Sequence, residues 1–547
     1  MSMRATRFRT AFAVAAAAVM AVSGCSGGGD DGDAGQTTVT VDGGQPENPL
    51  VPADTNEVFG GDVLDTLFSG LVRYDPETAD PENYVADSIE TEDNQTFTIT
   101  VKEGWTFHDG TEVTAESFVD AWNWGAYGPN ANLNAYWFEQ IEGYDEVHPE
   151  AEDPEADPPE PEAEEMSGLE VIDDYTFEVT LNDPYAQFPM RLGYTAFAPL
   201  PEVFFEDPEA FGRDPVGNGP FRFGSWTDNQ EITVEAYDDF AGSHAAQVDA
   251  VTWRMYDDRE AAYADLLAGN LDVMTRLTPA AMANEVYKDD LGDRYIEQEA
   301  GLMFTLTVTG NEPGYDDARF RRALSMAIDR EAIVDEIFEG TQLASNGWAP
   351  GVVIGAQDGA CGEACEHSPD QANDLLQEAL DDGFEPPEEV EIWFNDDADH
   401  REWVTAVVNS INQTFDGELE AVAKPVPTFS EFRSGINGDQ YSGLLRTGWQ
   451  MDYPHLENFL SPLYETGASS NDGDYSNEEF DRLMAEGRQE SDRDAAVEKY
   501  REAERILAED MPAVPIYTAR TITGYSEDMS NVEVTPFGVP AFANLEK

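Results

Sequence analysis

The chain has 547 residues, 41% of them hydrophobic and 11% aromatic, which is enough for buried cores and excludes global disorder. Its length suggests about three or four domain-sized units. With 112 acidic residues against 29 basic ones the formal charge is −83, which argues against nucleic acid as a partner, because phosphate must be neutralised by Lys and Arg. Most of the acids are expected on a solvated surface. Such a surface keeps a protein soluble where salt screens self-repulsion, so a saline or alkaline habitat is the expectation.

Residues 1–24 read as a targeting segment. Arg4, Arg7 and Arg9 form a positive start, and Ala11 to Val22 is an apolar run too short to span a bilayer. The run ends Val22-Ser23-Gly24-Cys25, which resembles a bacterial lipobox. The resemblance implies that Cys25 receives diacylglycerol and becomes the first mature residue; two acyl chains anchor stably where one does not. An ordinary secretory signal with a chance cysteine is the alternative. Residues 25–36 are rich in Gly and Asp and read as a flexible tether. No later run is long and apolar enough for a transmembrane helix.

Further on, Thr38-Val39-Thr40-Val41 alternates as a strand, and Asp62 to Leu67 reads as a helix stopped near Gly70. Phe97 to Val101 is a strand. Asp109-Gly110 marks a turn, and Thr114 is a good N-cap for a helix carrying Phe118 and Trp122. His108-Asp109 fits a turn that packs far better than acid–base catalysis. Residues 149–165 are nearly all Glu, Asp, Pro and Ala and are expected to form an exposed, poorly ordered loop. Strands follow at 169–172 and 176–181. Val251 to Met255, a helix opened by Asp258 with Tyr263, Leu266 and Leu267 inward, and Leu271 to Val273 form a parallel crossover unit. Phe320, Leu324, Ala327 and Ile328 form one apolar helical stripe, and Asp329 can cap the next helix. Cys361 and Cys365 lie between Gly-rich turns. Outside the cytoplasm they predict a small disulfide loop; a metal site would have His367 as a third ligand at best. Ser476 to Glu479 reads as a capping box.

Late in the chain, Leu444-Leu445-Arg446-Thr447-Gly448-Trp449-Gln450 reads as a strand running into Met451-Asp452-Tyr453-Pro454, where the proline forces a turn. A cation, an aromatic plane and an anion at one strand end suit a zwitterionic ligand. A buried strand with a satisfied ion pair is the other reading.

This segment resembles the Gly-Trp-x-x-Asp-Tyr-Pro stretch of the family 5 extracellular solute-binding proteins of ABC importers, oligopeptide- and dipeptide-binding type. Leu67-Phe68-Ser69-Gly70-Leu71, Gly104 to Gly110, Gly217-Asn218-Gly219-Pro220-Phe221 and Phe320 to Arg330 resemble further segments of that family, with Asn218 where the family has Thr. The resemblance implies an α/β fold of two lobes, like a periplasmic binding protein, with a hinge and an additional α/β subdomain. Its expected parts are lobe I at 37–70, 201–307 and 520–547, the extra subdomain at 71–200, and lobe II at 308–519. It also implies that Asp452 takes a peptide's ammonium group, that Arg446 helps neutralise its carboxylate, and that Trp449, with Gly448 and Tyr453, lines the pocket. Expected partners are a peptide, the permease subunits of an ABC transporter, and the membrane through the lipid anchor. A monomer without cofactor or metal, on the extracytoplasmic face of the membrane, is the expectation.

No His-Glu-x-x-His, Gly-x-Ser-x-Gly or phosphate loop is present, and the six histidines are scattered, so catalysis has little footing. The open alternatives are a binder of a nickel chelate, sugar or siderophore, a secreted hydrolase, and a tethered surface receptor or adhesin.

Overall fold

Alternating apolar residues build the sheet that organises the molecule. In Thr38–Gly43, Val39 and Val41 are wholly buried while their neighbours are half-exposed. The computed structural model describes residues 37–149, 158–256, 258–310, 312–396, 400–468 and 470–547. The targeting segment, the tether, Cys25 and residues 150–157 of the acidic stretch lie outside the described residues. Residues 158–165 are mostly exposed, yet Glu162 and Ala163 both donate their N–H groups to the Glu146 carbonyl, at 2.8 and 3.2 Å.

Among the described residues the main sheet has 11 strands. Across it run Ala421–Val426, Val390–Asn395, Leu444–Gln450, Tyr295–Val308, Ala513–Tyr525, Val273–Met274, Thr38–Gly43, Ala250–Met255, Glu231–Ala236 and Phe221–Thr227, with Leu343–Ala344 paired to Ala513–Tyr525. Two strands, Tyr295–Val308 and Ala513–Tyr525, are long enough to serve both halves of this sheet. Residues 295–299 pair with 520–524, beside Val273–Met274; residues 303–307 pair with 513–518, beside Leu444–Gln450. The register breaks between Glu299 and Met303. At the break, Gly301 donates its N–H to the Pro536 carbonyl (2.9 Å) and accepts at its own carbonyl from Met451 N–H (2.7 Å). The expected change-over points 307/308 and 519/520 both fall inside these long strands.

Thr38–Gly43 pairs in parallel with Ala250–Met255 on one side and Val273 on the other, and the helix Arg259–Ala268 makes the crossover. Asp258 caps that helix through Glu260 N–H, and Gly269, at φ +73°, ends it. Tyr263 and Leu266 face inward as expected, but Leu267 is 43% exposed: adjacent helical residues point about 100° apart, and only one of the two leucines can face the sheet. The helix after Tyr475 is capped by Asn477, whose Oδ1 accepts from Glu479 and Phe480 N–H, rather than by Ser476.

A second, four-stranded antiparallel sheet (Ala86–Thr91, Thr96–Val101, Thr176–Thr180, Leu169–Asp173) packs Phe177 against Phe118 and Trp122 of the helix Ala115–Ala126, and Phe97 against Phe188. Its core is continuous with the one under Thr38–Gly43. A separate core, built on Leu306, Leu324, Ile392, Trp403 and Leu507, fills the other half of the molecule. Cys361 and Cys365 lie in that core and are joined as a disulfide.

Candidate functional site

Where the long strands change partners, a cavity of about 640 Å³ opens between the first helix Val58–Leu67, the Tyr74 and Tyr194 loops, the end of Leu444–Gln450 and the C-terminal segment around Phe537. That volume suits a small organic ligand; such sites commonly span about 300–1,000 Å³.

Asp452 reaches this cavity because the chain leaves its strand at Met451, tied to Gly301 at the break. Asn458 then fixes it from two sides. Asn458 Oδ1 accepts from Asp452 N–H at 2.9 Å, and Asn458 Nδ2 donates to Asp452 Oδ2 at 2.9 Å. The same Oδ1 accepts from Trp449 Nε1 at 3.3 Å. Burial pushes the Asp452 carboxyl up to about 6, against the opposing pull of the Asn458 hydrogen bond and the Arg191 guanidinium. A carboxylate so placed is held at one orientation and gains from a cation arriving in the cavity.

The opposite wall is the helix Val58–Leu67, which presents Asp62 and Asp65 to the cavity from positions i and i+3 of one face. The end of this helix is pinned by side chains that the sequence had suggested were structural. Asn218 Oδ1 accepts from Ser69 N–H at 2.9 Å, its Nδ2 donates to the Ser69 carbonyl at 3.0 Å, and Gly219 N–H donates to the Leu67 carbonyl at 2.7 Å. His108 in turn accepts from Gly217 N–H at Nδ1, 3.1 Å away, and burial holds its imidazole down at about 4, hence neutral. A Cβ on Gly217 would lie 1.9 Å from the Leu67 carbonyl oxygen, so only glycine permits this approach. Burial raises the Asp62 carboxyl well above its usual range, helped by the Asp65, Asp42 and Glu57 charges. It raises Asp65 to about 6; that side chain is reachable by solvent yet enclosed by the cavity wall.

Arg446, Gly448 and Trp449 line a different, smaller cavity of about 230 Å³, together with Met303, Phe429 and Phe432. Arg446 is buried there. Its guanidinium donates to Asn395 Oδ1 and lies 5.7 Å from the ring centroids of both Phe429 and Phe432. The strand end therefore does not bring Arg446, Trp449 and Asp452 to one cavity; Trp449 and Asp452 share Asn458 Oδ1 as hydrogen-bond acceptor. Tyr453 points into the core. Its hydroxyl donates to Glu457 Oε2, which also accepts from Tyr185 at 2.9 Å, and the Arg191 guanidinium lies 6.0 Å from its ring centroid. Asp62, Asp65, Tyr74, Tyr194 and Asn458 were not singled out from the sequence. Two acids three apart in an otherwise apolar helix were the available signal for the first pair.

The family model of bacterial extracellular solute-binding proteins, family 5 Middle, matches residues 80–471. The oligopeptide-binding protein OppA of Bacillus subtilis (strain 168) is 24% identical over 522 residues, covering 93% of this chain and 92% of the relative. The periplasmic oligopeptide-binding protein OppA of Escherichia coli (strain K12) is 25% identical over 494 residues, covering 88% and 87%. The unliganded open form of the periplasmic murein tripeptide binding protein MppA superposes with a TM-score of 0.77 at 20% identity, over 94% of this chain and 97% of that one. The periplasmic-binding-protein architecture, the strand crossing at Gly301 and a family match over most of the sequence agree: the chain belongs to the bacterial extracellular solute-binding proteins of family 5.

Proposed function

We propose that the protein captures oligopeptides outside the cytoplasm, anchored by diacylglycerol on Cys25, and delivers them intact to the permease of an ABC importer. The observation that carries this reading is the Asp452 carboxylate, oriented by Asn458 into a ligand-sized cavity at the strand crossing. An ammonium hydrogen-bonded to that carboxylate contributes about 1.5–3 kcal/mol, and the main chain of an extended peptide adds affinity that does not depend on its side chains. The names of the relatives support peptides over other solutes. The break in register at Gly301 is where the two halves of the sheet would bend. A ligand that binds the closed form better than the open one shifts that equilibrium, and the closed form is what a permease would recognise.

Arg446 is assigned the carboxylate end of the ligand. It stands six residues before Asp452, at most about 20 Å away along an extended chain, so an extended ligand reaching both needs no more than about six residues. Trp449 and Gly448 would line that end. Calorimetry with tri- and hexapeptides on the wild type, Asp452→Ala and Arg446→Ala tests the assignments. Weaker binding of all peptides to Asp452→Ala, and of hexapeptides alone to Arg446→Ala, is expected; unchanged affinity in both variants refutes them.

A further inference from the structure

The larger cavity is acidic beyond what one ammonium group requires. Glu57, Asp62, Asp65, Asp75 and Asp452 line it, against a single guanidinium, Arg73. Acids are abundant in this chain, so the informative question is which of them the fold already uses. Glu57 is occupied as the cap of its helix, accepting from Phe59 and Gly60 N–H at 2.8 Å each. Asp75 is occupied in its own turn by Glu77 and Thr78 N–H. Arg73 is paired with Glu82 at 3.3 Å. Asp62 is different. It is 8% exposed, faces the cavity and makes no hydrogen bond or ion pair among the described residues; the Arg276 guanidinium pulls on its charge only from beyond ion-pair distance, and burial outweighs that pull. Asp65, one turn on, has none either, and both are denied help from each other by like charge.

A buried carboxylate with no partner is costly to the empty protein and is normally paired. Here the missing partner has an obvious entry, because the cavity leads to it. Tyr74 and Tyr194 line the same cavity as Asp65 and Asp452, so aromatic side chains share its wall with both anionic sites. Aromatic rings beside anions favour organic cations. Among the described residues no three acidic, His or Cys side chains converge closely enough to hold a metal ion. The charges are spread instead, as an organic ligand with separated positive groups would need.

We propose that Asp62 and Asp65 form a second cation subsite in this cavity, taking a lysine or arginine side chain of the ligand while Asp452 takes its amino terminus. This rests on the peptide reading above and narrows it to basic peptides. The test is calorimetry at pH 8 and low salt with tripeptides carrying lysine or norleucine at each of the three positions in an alanine background, on the wild type, Asp65→Asn and Asp62→Asn/Asp65→Asn. At one position at least, the wild type binds the lysine peptide about tenfold or more tightly than its norleucine counterpart. The ratio falls in Asp65→Asn, whose solvent-reachable side chain makes it a mild substitution for folding, and approaches one in the double variant. Equal binding of lysine and norleucine peptides at all positions overturns the subsite and leaves the peptide reading standing, as does a wild-type ratio that persists in both variants. Binding of spermidine without binding of any tripeptide, or of neither, overturns both.

Discussion

Asp452→Asn should make the ligand-free protein more stable and a worse binder at once. The substitution keeps the shape and leaves an oxygen to accept from Asn458 Nδ2, now 2.9 Å from Oδ2. It removes a charge whose carboxyl is pushed from the ordinary 3.8 to about 6 by burial. At about 1.4 kcal/mol per pH unit, that difference is worth about 2–3 kcal/mol of native-state penalty at pH 8. The sign follows from the direction of the shift: the folded state holds its proton more tightly than the unfolded one, so the penalty is absent below about pH 4 and complete above about pH 7. Equilibrium urea unfolding of protein stripped of ligand should therefore show the variant more stable by about 2–3 kcal/mol at pH 8 and by roughly half of that at pH 5. Over the same pair of proteins, affinity for a free tripeptide at pH 8 should fall about 10- to 100-fold, the loss of one charged hydrogen bond. A variant that is less stable than the wild type at pH 8, or that binds the tripeptide equally well, would refute the reasoning.

Three further outcomes are expected. Asn458→Ala leaves Asp452 N–H and Trp449 Nε1 without their acceptor and the carboxylate free to turn, so tripeptide affinity should drop about tenfold by calorimetry, although Asn458 is assigned no ligand contact. Tyr453→Phe removes one of two hydroxyl donors to the buried Glu457; it should cost about 1–3 kcal/mol in urea unfolding and change peptide affinity less than about twofold, and a large affinity loss with stability intact would return Tyr453 to the binding site. Burial raises the Glu504 carboxyl from 4.5 to about 8, outweighing hydrogen bonds from the Trp348 main chain and from Gln357 (3.4 Å) and the pull of the Arg501 guanidinium. Stability should therefore fall by about 2 kcal/mol between pH 6.5 and 8 through this group, above the range in which His108 and His455, both held neutral by burial, act in the opposite direction. Glu504→Gln should flatten that slope.

How much of this was legible in the chain can be judged residue by residue. Thr38–Gly43, the crossover through Arg259–Ala268 and the Leu444–Gln450 strand follow from apolar periodicity, because a strand or helix must turn one face to the core whatever its neighbours are. Leu267 shows the limit: a stripe does not say which of two adjacent leucines lies nearer its centre. Asp452 stood out through its resemblance to a family segment, not through any local pattern. Whether Arg446 and Asp452 share a cavity was not legible, because it depends on where the strand breaks away from Tyr295–Val308, and that is set by Gly301, about 150 residues earlier in the chain. Asn458 was hidden for a similar reason. It sits in the first turn of the helix Glu457–Tyr464 and reaches back to the strand end by three hydrogen bonds that exist only once the chain has turned at Pro454. Asp62 was the most visible omission, a charge at a helix position that its apolar neighbours bury.

The central claim is that a free amino terminus is what Asp452 holds. The most direct measurement is the calorimetric titration of the wild type, at pH 8, with one tripeptide and with the same tripeptide N-acetylated. Acetylation removes the charge and leaves the rest of the ligand in place, so a loss of about 100-fold or more in affinity is predicted. Equal affinity for the two forms would contradict the claim and remove peptide capture through Asp452 from the account.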